Sequence, residues 1–325
     1  MDIDSVLYDF INRGFYNNEN NKLCLKLIAE VKWHGDRYYC KSKKCRGEFT
    51  KNKKFETVIG HSKYPDYSRK CCVCKNVETP TTNTSFHGIN YIPAFFEMVY
   101  IITKLQKERN RRFNTDEIFR ILKRDDNGIS KSTIEKYRFQ IQNYFLDSNF
   151  FLHSDSFYKE CTKSYGVEKF SLRTGLNKKW IYVLSQFSFP RRITANIYNK
   201  DNYSSLYNFL SGTFISNSET IILYDWNKTY KTLKKKYPQL KFTNEQLEVR
   251  SLVTHISEAL KDWLQGLPLS DARKVRGHMY ECIQVLFQHY YTPIQLLVMM
   301  IAIDMQKVRL RPREPKRRAR FNNLN

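Results

Sequence analysis

Thr220-Ile-Ile-Leu-Tyr-Asp225-Trp-Asn-Lys-Thr-Tyr230 combines an apolar run with a single acid at its end. Three apolar residues and a tyrosine run into one aspartate, and a short polar segment follows. The pattern predicts a buried β-strand ending in an acid, with a helix just after it. Taken alone, Asp225 is as readily the N-cap of that helix, since aspartate is among the best capping residues. A carboxylate at the C-terminal end of an α/β strand is also a common place for chemistry, because the strand holds it rigidly while its side chain reaches solvent.

Around this stretch, 147–306 alternates strand-like and helix-like pieces. Asn149–Leu152 reads as a first strand, followed by Asp155. Lys179–Phe187 and Arg192–Tyr198 read as two more strands, and Tyr203–Phe214 as a helix. Then come Ile221–Tyr224, a helix over Lys228–Tyr237, a strand over Phe242–Val249, a helix over Thr254–Leu267 and a long apolar helix over Val275–Gln306. Strands that alternate with helices predict a mixed α/β domain. In that order, Asp155 and Asp225 sit at strand ends that a crossover helix would bring together. Glu258 follows near the start of a helix. Three carboxylates on two strands and a helix suit two divalent metals, Mg²⁺ or Mn²⁺, and so in-line attack on a phosphodiester. Glu281 is a further late acid, better read as a surface or buried structural charge.

Composition limits the partners. Lys and Arg number 55 against 32 Asp and Glu, a formal net charge of +23 over 325 residues. A charge of that size points to a polyanion, with nucleic acid ahead of an anionic membrane surface. The 22 Tyr and 22 Phe interleaved with the cations suit the same partner. With 41% hydrophobic residues the chain can bury a core and is not a disordered sequence. No run approaches the length of a membrane-spanning helix. The first residues lack the basic start of a secretory signal, so the eight cysteines are expected to be intracellular thiols.

Upstream, 1–32 reads as a helical entry segment and 33–77 as a cysteine-rich module. Cys40 and Cys45 are followed by Cys71, Cys72 and Cys74. Two close cysteine pairs can give Zn²⁺ a tetrahedral thiolate set, with Cys40, Cys45, Cys71 and Cys74 the most economical choice. Cys72 is a spare or a substitute. Lysines and arginines crowd this module, as they would a phosphate-contacting face. The next region, 78–146, is helical. Thr115 and the box Ser132-x-x-Glu135 are expected to cap two helices around Asp125-Asp-Asn-Gly128, either as a helix-turn-helix or as an ordinary helical hairpin. Lys131, Lys136, Arg138 and Gln142 are expected on the outward, groove-facing side. The tail, 307–325, is a basic arm suited to nuclear import, phosphate binding or both.

This order resembles Merlin-type DDE transposases, the eukaryotic relatives of a bacterial insertion-sequence transposase family. The resemblance rests on Tyr224–Tyr230, on Ser154-Asp155-Ser156-Phe157, on Thr254–Trp263 and on Thr82-Asn-Thr-Ser-Phe-His87 before an amphipathic helix. It implies an N-terminal zinc ribbon, a helix-turn-helix and a ribonuclease-H-like domain. It also implies metal-dependent strand cleavage and transfer at terminal inverted repeats of double-stranded DNA, by an oligomer. The family usually has Glu directly after its first Asp, where Ser156 stands here. In the third segment, His255 and Trp263 keep the family's spacing, but its Asn and Glu positions fall on Ser257 and Leu260. Glu258 is displaced from both, which leaves a catalytically inactive DNA-binding relative as the alternative.

Overall fold

The computed structural model describes residues 18–33, 55–57, 67–71, 74–82, 84–122, 129–152, 164–174, 177–186, 193–211, 220–223, 241–243, 247–287 and 295–301, with the single positions 235 and 293. The chain divides into two compact units. One comprises Met1–Glu97 with Ile294–Asn325, the other Met98–Pro293.

In the first unit, helix α1 (Asn18–Lys32) precedes a small antiparallel sheet of β1 (Phe55–Thr57), β2 (Arg69–Cys71) and β3 (Val77–Glu78), in that order. The last residues of α1 bind the turn after β3. Lys32, 1% exposed, donates from Nζ to the carbonyls of Thr79 (2.8 Å) and Thr82 (2.7 Å) and lies 3.6 Å from Glu78 Oε2. A buried ammonium is tolerable only with such partners. Trp33 packs on Ala29 and Tyr67 and carries Arg69 5.1 Å from its ring centre. Thr79, Thr81, Thr82 and Thr84 bond one another and the local backbone, which winds the Thr-rich turn tightly. Phe86 then packs edge-on against Phe95 and at a tilt against Phe96, both on helix α2 (Ile92–Tyr100).

In the second unit the end of α2 passes into a wider π turn (Ile101–Leu105) and a short α3 (Gln106–Glu108). Helix α4 (Thr115–Leu122) begins with a reciprocal cap. Asn114 Oδ1 accepts from Glu117 N–H and Glu117 Oε2 from Asn114 N–H, both at 2.8 Å. The cap is therefore Asn114, one residue before the expected Thr115. Helix α5 (Lys131–Leu152) is capped by Ser130, whose Oγ accepts from Thr133 N–H, so the expected box at Ser132 is displaced by two residues. Helix α5 also runs through Asn149–Leu152, so the expected first strand there is helical.

The first strand comes later, as β4 (Ser164–Thr174). With β5 (Asn177–Gln186) and β6 (Ile193–Tyr198) it forms an antiparallel meander. Helix α6 (Tyr203–Ser211) crosses over to β7 (Thr220–Leu223), which pairs in parallel with β4. Strand β8 (Lys241–Thr243) pairs in parallel with β7. The order is β6-β5-β4-β7-β8. Ile181, Tyr182, Val183 and Leu184 are all fully buried, so β5 is covered on both faces, as a central strand between helices must be. Phe209 of α6 meets Tyr182 on one of those faces. Helix α7 (Leu247–Leu264) packs on β4 and β5, and α8 (Ala272–Cys282) packs on β6, α5 and α7. Helix α7 starts earlier than expected and takes in the end of the strand foreseen at Phe242–Val249. Helix α8 gives way to a π turn (Ile283–Phe287), and 295–301 is again helical; 288–292 and 302–306 of the expected long helix lie outside the described residues.

Candidate functional site

The mixed sheet fixes one end of the candidate site. Register pairs Leu223, the last residue of β7, with Val167 on the centre strand β4. Asp225 is two residues further along the chain. Asp155 lies between α5 and β4, and both aspartates fall outside the described residues, as do Cys40, Cys45 and Cys72. Among the described residues no group of three His, Cys, Asp or Glu is arranged to hold a metal ion.

Glu258 lies on α7 and is exposed, while Ser257 and Leu260 beside it are buried, Leu260 completely. The buried stripe Val253, Ile256, Leu260, Trp263, Leu264 recurs at helical spacing and seats α7 in the core. On a helix one residue turns the side chain by about 100°, so Glu258 points away from the line that Ser257 and Leu260 follow. His255 is also exposed, edge-on to Phe287 at 5.7 Å.

Glu168 is an acid that the sequence patterns do not single out. It follows Val167 on β4, the position immediately beyond the last one paired with β7, and is half-buried. The signal was present as Gly166-Val-Glu-Lys-Phe-Ser-Leu172. This segment is separated by a glycine-containing turn from a strongly apolar strand, which is a hairpin pattern. Two adjacent charges obscured its alternation.

The four residues expected on the outward side of α5 part company. Lys131 and Lys136 are exposed, and Lys131 Nζ pairs with Asp116 Oδ1 at 2.6 Å. Arg138 and Gln142 are 4% and 3% exposed and face the interior, which corrects the expectation that they project outward. The physical reason is Glu281 on α8, wholly buried. Arg138 grips it at two points, Nη2 to Oε1 at 2.6 Å and Nε to Oε2 at 3.0 Å. Gln142 Nε2 donates to Oε2 at 2.6 Å and Gln106 Nε2 to Oε1 at 2.8 Å. Arg138 Nη1 donates to the carbonyl of Phe113 at 2.6 Å, and Gln106 Oε1 accepts Phe113 N–H at 2.7 Å. Burial would raise the Glu281 carboxyl, but the Arg138 charge and the bond from His278 hold it well below the usual carboxylate range. Burial lowers His278 against the raising effect of Glu281, and its Nδ1 lies 3.0 Å from Gln142 Nε2 and 3.4 Å from Glu281 Oε2. The network ties the residues around α3 and α4 to α5 and α8; it is structural rather than a surface for a ligand.

Of the thiolate set, Cys71 ends β2 and is buried, and Cys74 is half-buried in the turn before β3. Lys75 N–H donates to Cys71 C=O at 2.8 Å and Cys71 N–H to Asn76 C=O at 2.9 Å, with Lys75 at φ 59°. Cys71 and Cys74 are three positions apart in sequence, and both are reduced thiols.

No family model matches the chain, and no curated protein matches it. Among solved structures, the chain is similar to one in a cryoEM structure of a simian T-cell lymphotropic virus intasome in complex with PP2A regulatory subunit B56 gamma. The identity is 10% and the TM-score 0.26, over 46% of this chain and 57% of that one. The chain thus spans little more than half the length of that neighbour. A likeness at this TM-score carries no argument about fold or activity.

Proposed function

We propose that this chain is a DNA-recombination protein of the DDE transposase type, whose mixed α/β unit is ribonuclease-H-like. The observation that carries the proposal is the sheet. Three antiparallel strands, a crossover helix and two parallel strands in the order β6-β5-β4-β7-β8 suit that fold, and β7 leads straight into the segment of Asp225. The charge of +23 supports double-stranded DNA as the partner.

Asp155, Asp225 and Glu258 are the carboxylates of this reading, and Glu168 competes with Asp155 for the first position because register sets it beside the end of β7. Hard carboxylate oxygens suit Mg²⁺ or Mn²⁺, which when bound would activate the attacking oxygen and stabilise the leaving one. Cys40, Cys45, Cys71 and Cys74 would hold a structural Zn²⁺. The pair α4 and α5 would serve as a helix-turn-helix, with Lys131 and Lys136 as its DNA-facing cations. The basic tail would direct the chain to the nucleus, and the chain would work as an oligomer.

A second reading keeps the DNA binding and drops the chemistry. It is favoured by α7, where a buried Ser257 and a buried Leu260 stand at the positions the resemblance gives to Asn and Glu. Both readings require specific duplex binding. Competition between a labelled terminal-repeat duplex and a scrambled one tests this: preference for the repeat is expected, and equal competition would defeat both readings. The two part on strand cleavage.

A further inference from the structure

We propose that the far end of the β4–β5 hairpin is a DNA-binding ribbon that grips the phosphate backbone of a duplex. The proposal rests on the DNA reading above and names a contact surface that reading lacks. Strands β4 and β5 stay paired from Tyr165↔Gln186 to Thr174↔Asn177. Among the described residues their neighbours stop sooner. Strand β6 reaches only Trp180↔Tyr198, and β7 only Val167↔Leu223. Among the described residues, Leu172–Thr174 and Asn177–Lys179 therefore form a two-stranded ribbon beyond the rest of the sheet. At about 3.3 Å per residue it runs on for roughly 10 Å. Two strands side by side are narrow enough for the major groove, which admits such a ribbon.

Its chemistry is one-sided. Residues 171–180 carry Arg173, Lys178 and Lys179 and no acid. Register sets Arg173 directly opposite Lys178, with Ser171, Trp180 and Lys169 following on the same face. Like charges opposite one another weaken strand pairing, so this pair is a cost to the hairpin that a bound polyanion would offset. Lys178 Nζ lies 4.2 Å from the centre of the Trp180 ring, and Lys169 Nζ lies 5.5 Å from it. The indole is thus a platform that positions cations, and its occupied ring favours phosphate contact over base stacking. Asp201 binds Lys169 at 2.5 Å, and Lys179 Nζ donates to Asn199 Oδ1, which orders the base of the ribbon. Arg173 at its end is exposed.

The test compares the full chain with Arg173→Ala/Lys178→Ala/Lys179→Ala and with a control, Lys107→Ala/Lys261→Ala/Lys274→Ala, which removes three exposed cations elsewhere. Affinity for a duplex is measured across a salt series. Each lost phosphate contact should lower the slope of log affinity against log salt by about 0.9. The ribbon variant is expected to lose about two to three in slope and to unfold no earlier than wild type. A ribbon variant whose slope falls no further than the control's overturns the proposal, even if wild type binds duplex DNA well. So does a variant that loses affinity for vesicles of anionic phospholipid while its duplex slope is unchanged. A wild-type chain without salt-dependent duplex binding refutes the DNA reading itself, and the ribbon with it.

Discussion

Arg138 and Glu281 form a two-point ion pair in the interior of the second unit, 2.6 Å and 3.0 Å long, on helices whose sequence positions are 143 apart. The pair is the hub of the contact between α5 and α8. Removing one member strands the other in the core. Arg138→Ala should cost about 3–5 kcal/mol of unfolding free energy, the scale of a broken buried pair. Arg138→Met combined with Glu281→Leu should cost markedly less. Urea titrations of the single and double variants measure both, and equal losses would show that the pair is not coupled.

Acid should loosen the same hub in two stages. His278 is lowered from its ordinary 6.5 by burial, so its neutral form stabilises the fold above that value, and stability falls as pH drops through the lower folded value. Glu281 is held below its ordinary 4.5, against the raising effect of burial, by Arg138 and His278. Its contribution is present above 4.5 and lost further into acid. Stability followed from pH 8 to pH 3 should decline below about pH 6.5 and again below about pH 4.5. In His278→Gln the first decline should vanish while the second remains.

Gly277 sets how near α8 comes to α5. A Cβ there would meet Gln142 Oε1 at 2.5 Å and Gln142 Cβ at 3.3 Å. Alanine ordinarily stabilises a helix interior by about 1 kcal/mol over glycine. Here Gly277→Ala should destabilise, because the Gln142 amide is already committed to Glu281 and His278. In a Gln142→Ala background the same change should become stabilising. A thermal double-mutant cycle reads the change of sign.

The first unit depends on Lys32 in a similar way. Lys32→Met keeps the apolar stem but removes the cation 3.6 Å from Glu78, which is 3% exposed. The expected loss is about 3–5 kcal/mol, by the same argument. In the same unit, the knuckle at Cys71 and Cys74 predicts about one Zn²⁺ per chain, lost in Cys71→Ser. Metal analysis of both proteins checks it, and a folded, zinc-free wild type would defeat it.

Sequence patterns carried the framework further than the site. Strands β5, β6 and β7 were legible because unbroken apolar or alternating runs end at polar turns. Strand β4 was not, because Glu168 and Lys169 interrupt it. The local pattern instead favours a strand at Asn149–Leu152, whose aromatic and apolar residues belong to the end of a 22-residue helix. The inward side of α5 was misread for a related reason. A buried arginine on a helix looks like a surface arginine until its partner is known, and that partner lies 143 residues away. On α7, Glu258 is exposed beside buried Ser257 and Leu260, an outcome of helical spacing that the apolar stripe Val253, Ile256, Leu260 already implies.

Glu168 and Asp155 can be separated by experiment. If register decides, Glu168→Gln should lower cleavage by about two orders of magnitude or more, the scale of losing one transition-state charge contact. Asp155→Asn should then lower it less. The reverse order would return the first acid to Asp155.

The most direct measurement is strand cleavage of a labelled terminal-repeat duplex in Mg²⁺ or Mn²⁺ by wild type and by Asp225→Ala. The enzyme reading predicts nicked product at the repeat end from wild type and none from Asp225→Ala, with duplex binding retained by both. Cleavage by wild type no greater than by the variant, with binding intact, would contradict it.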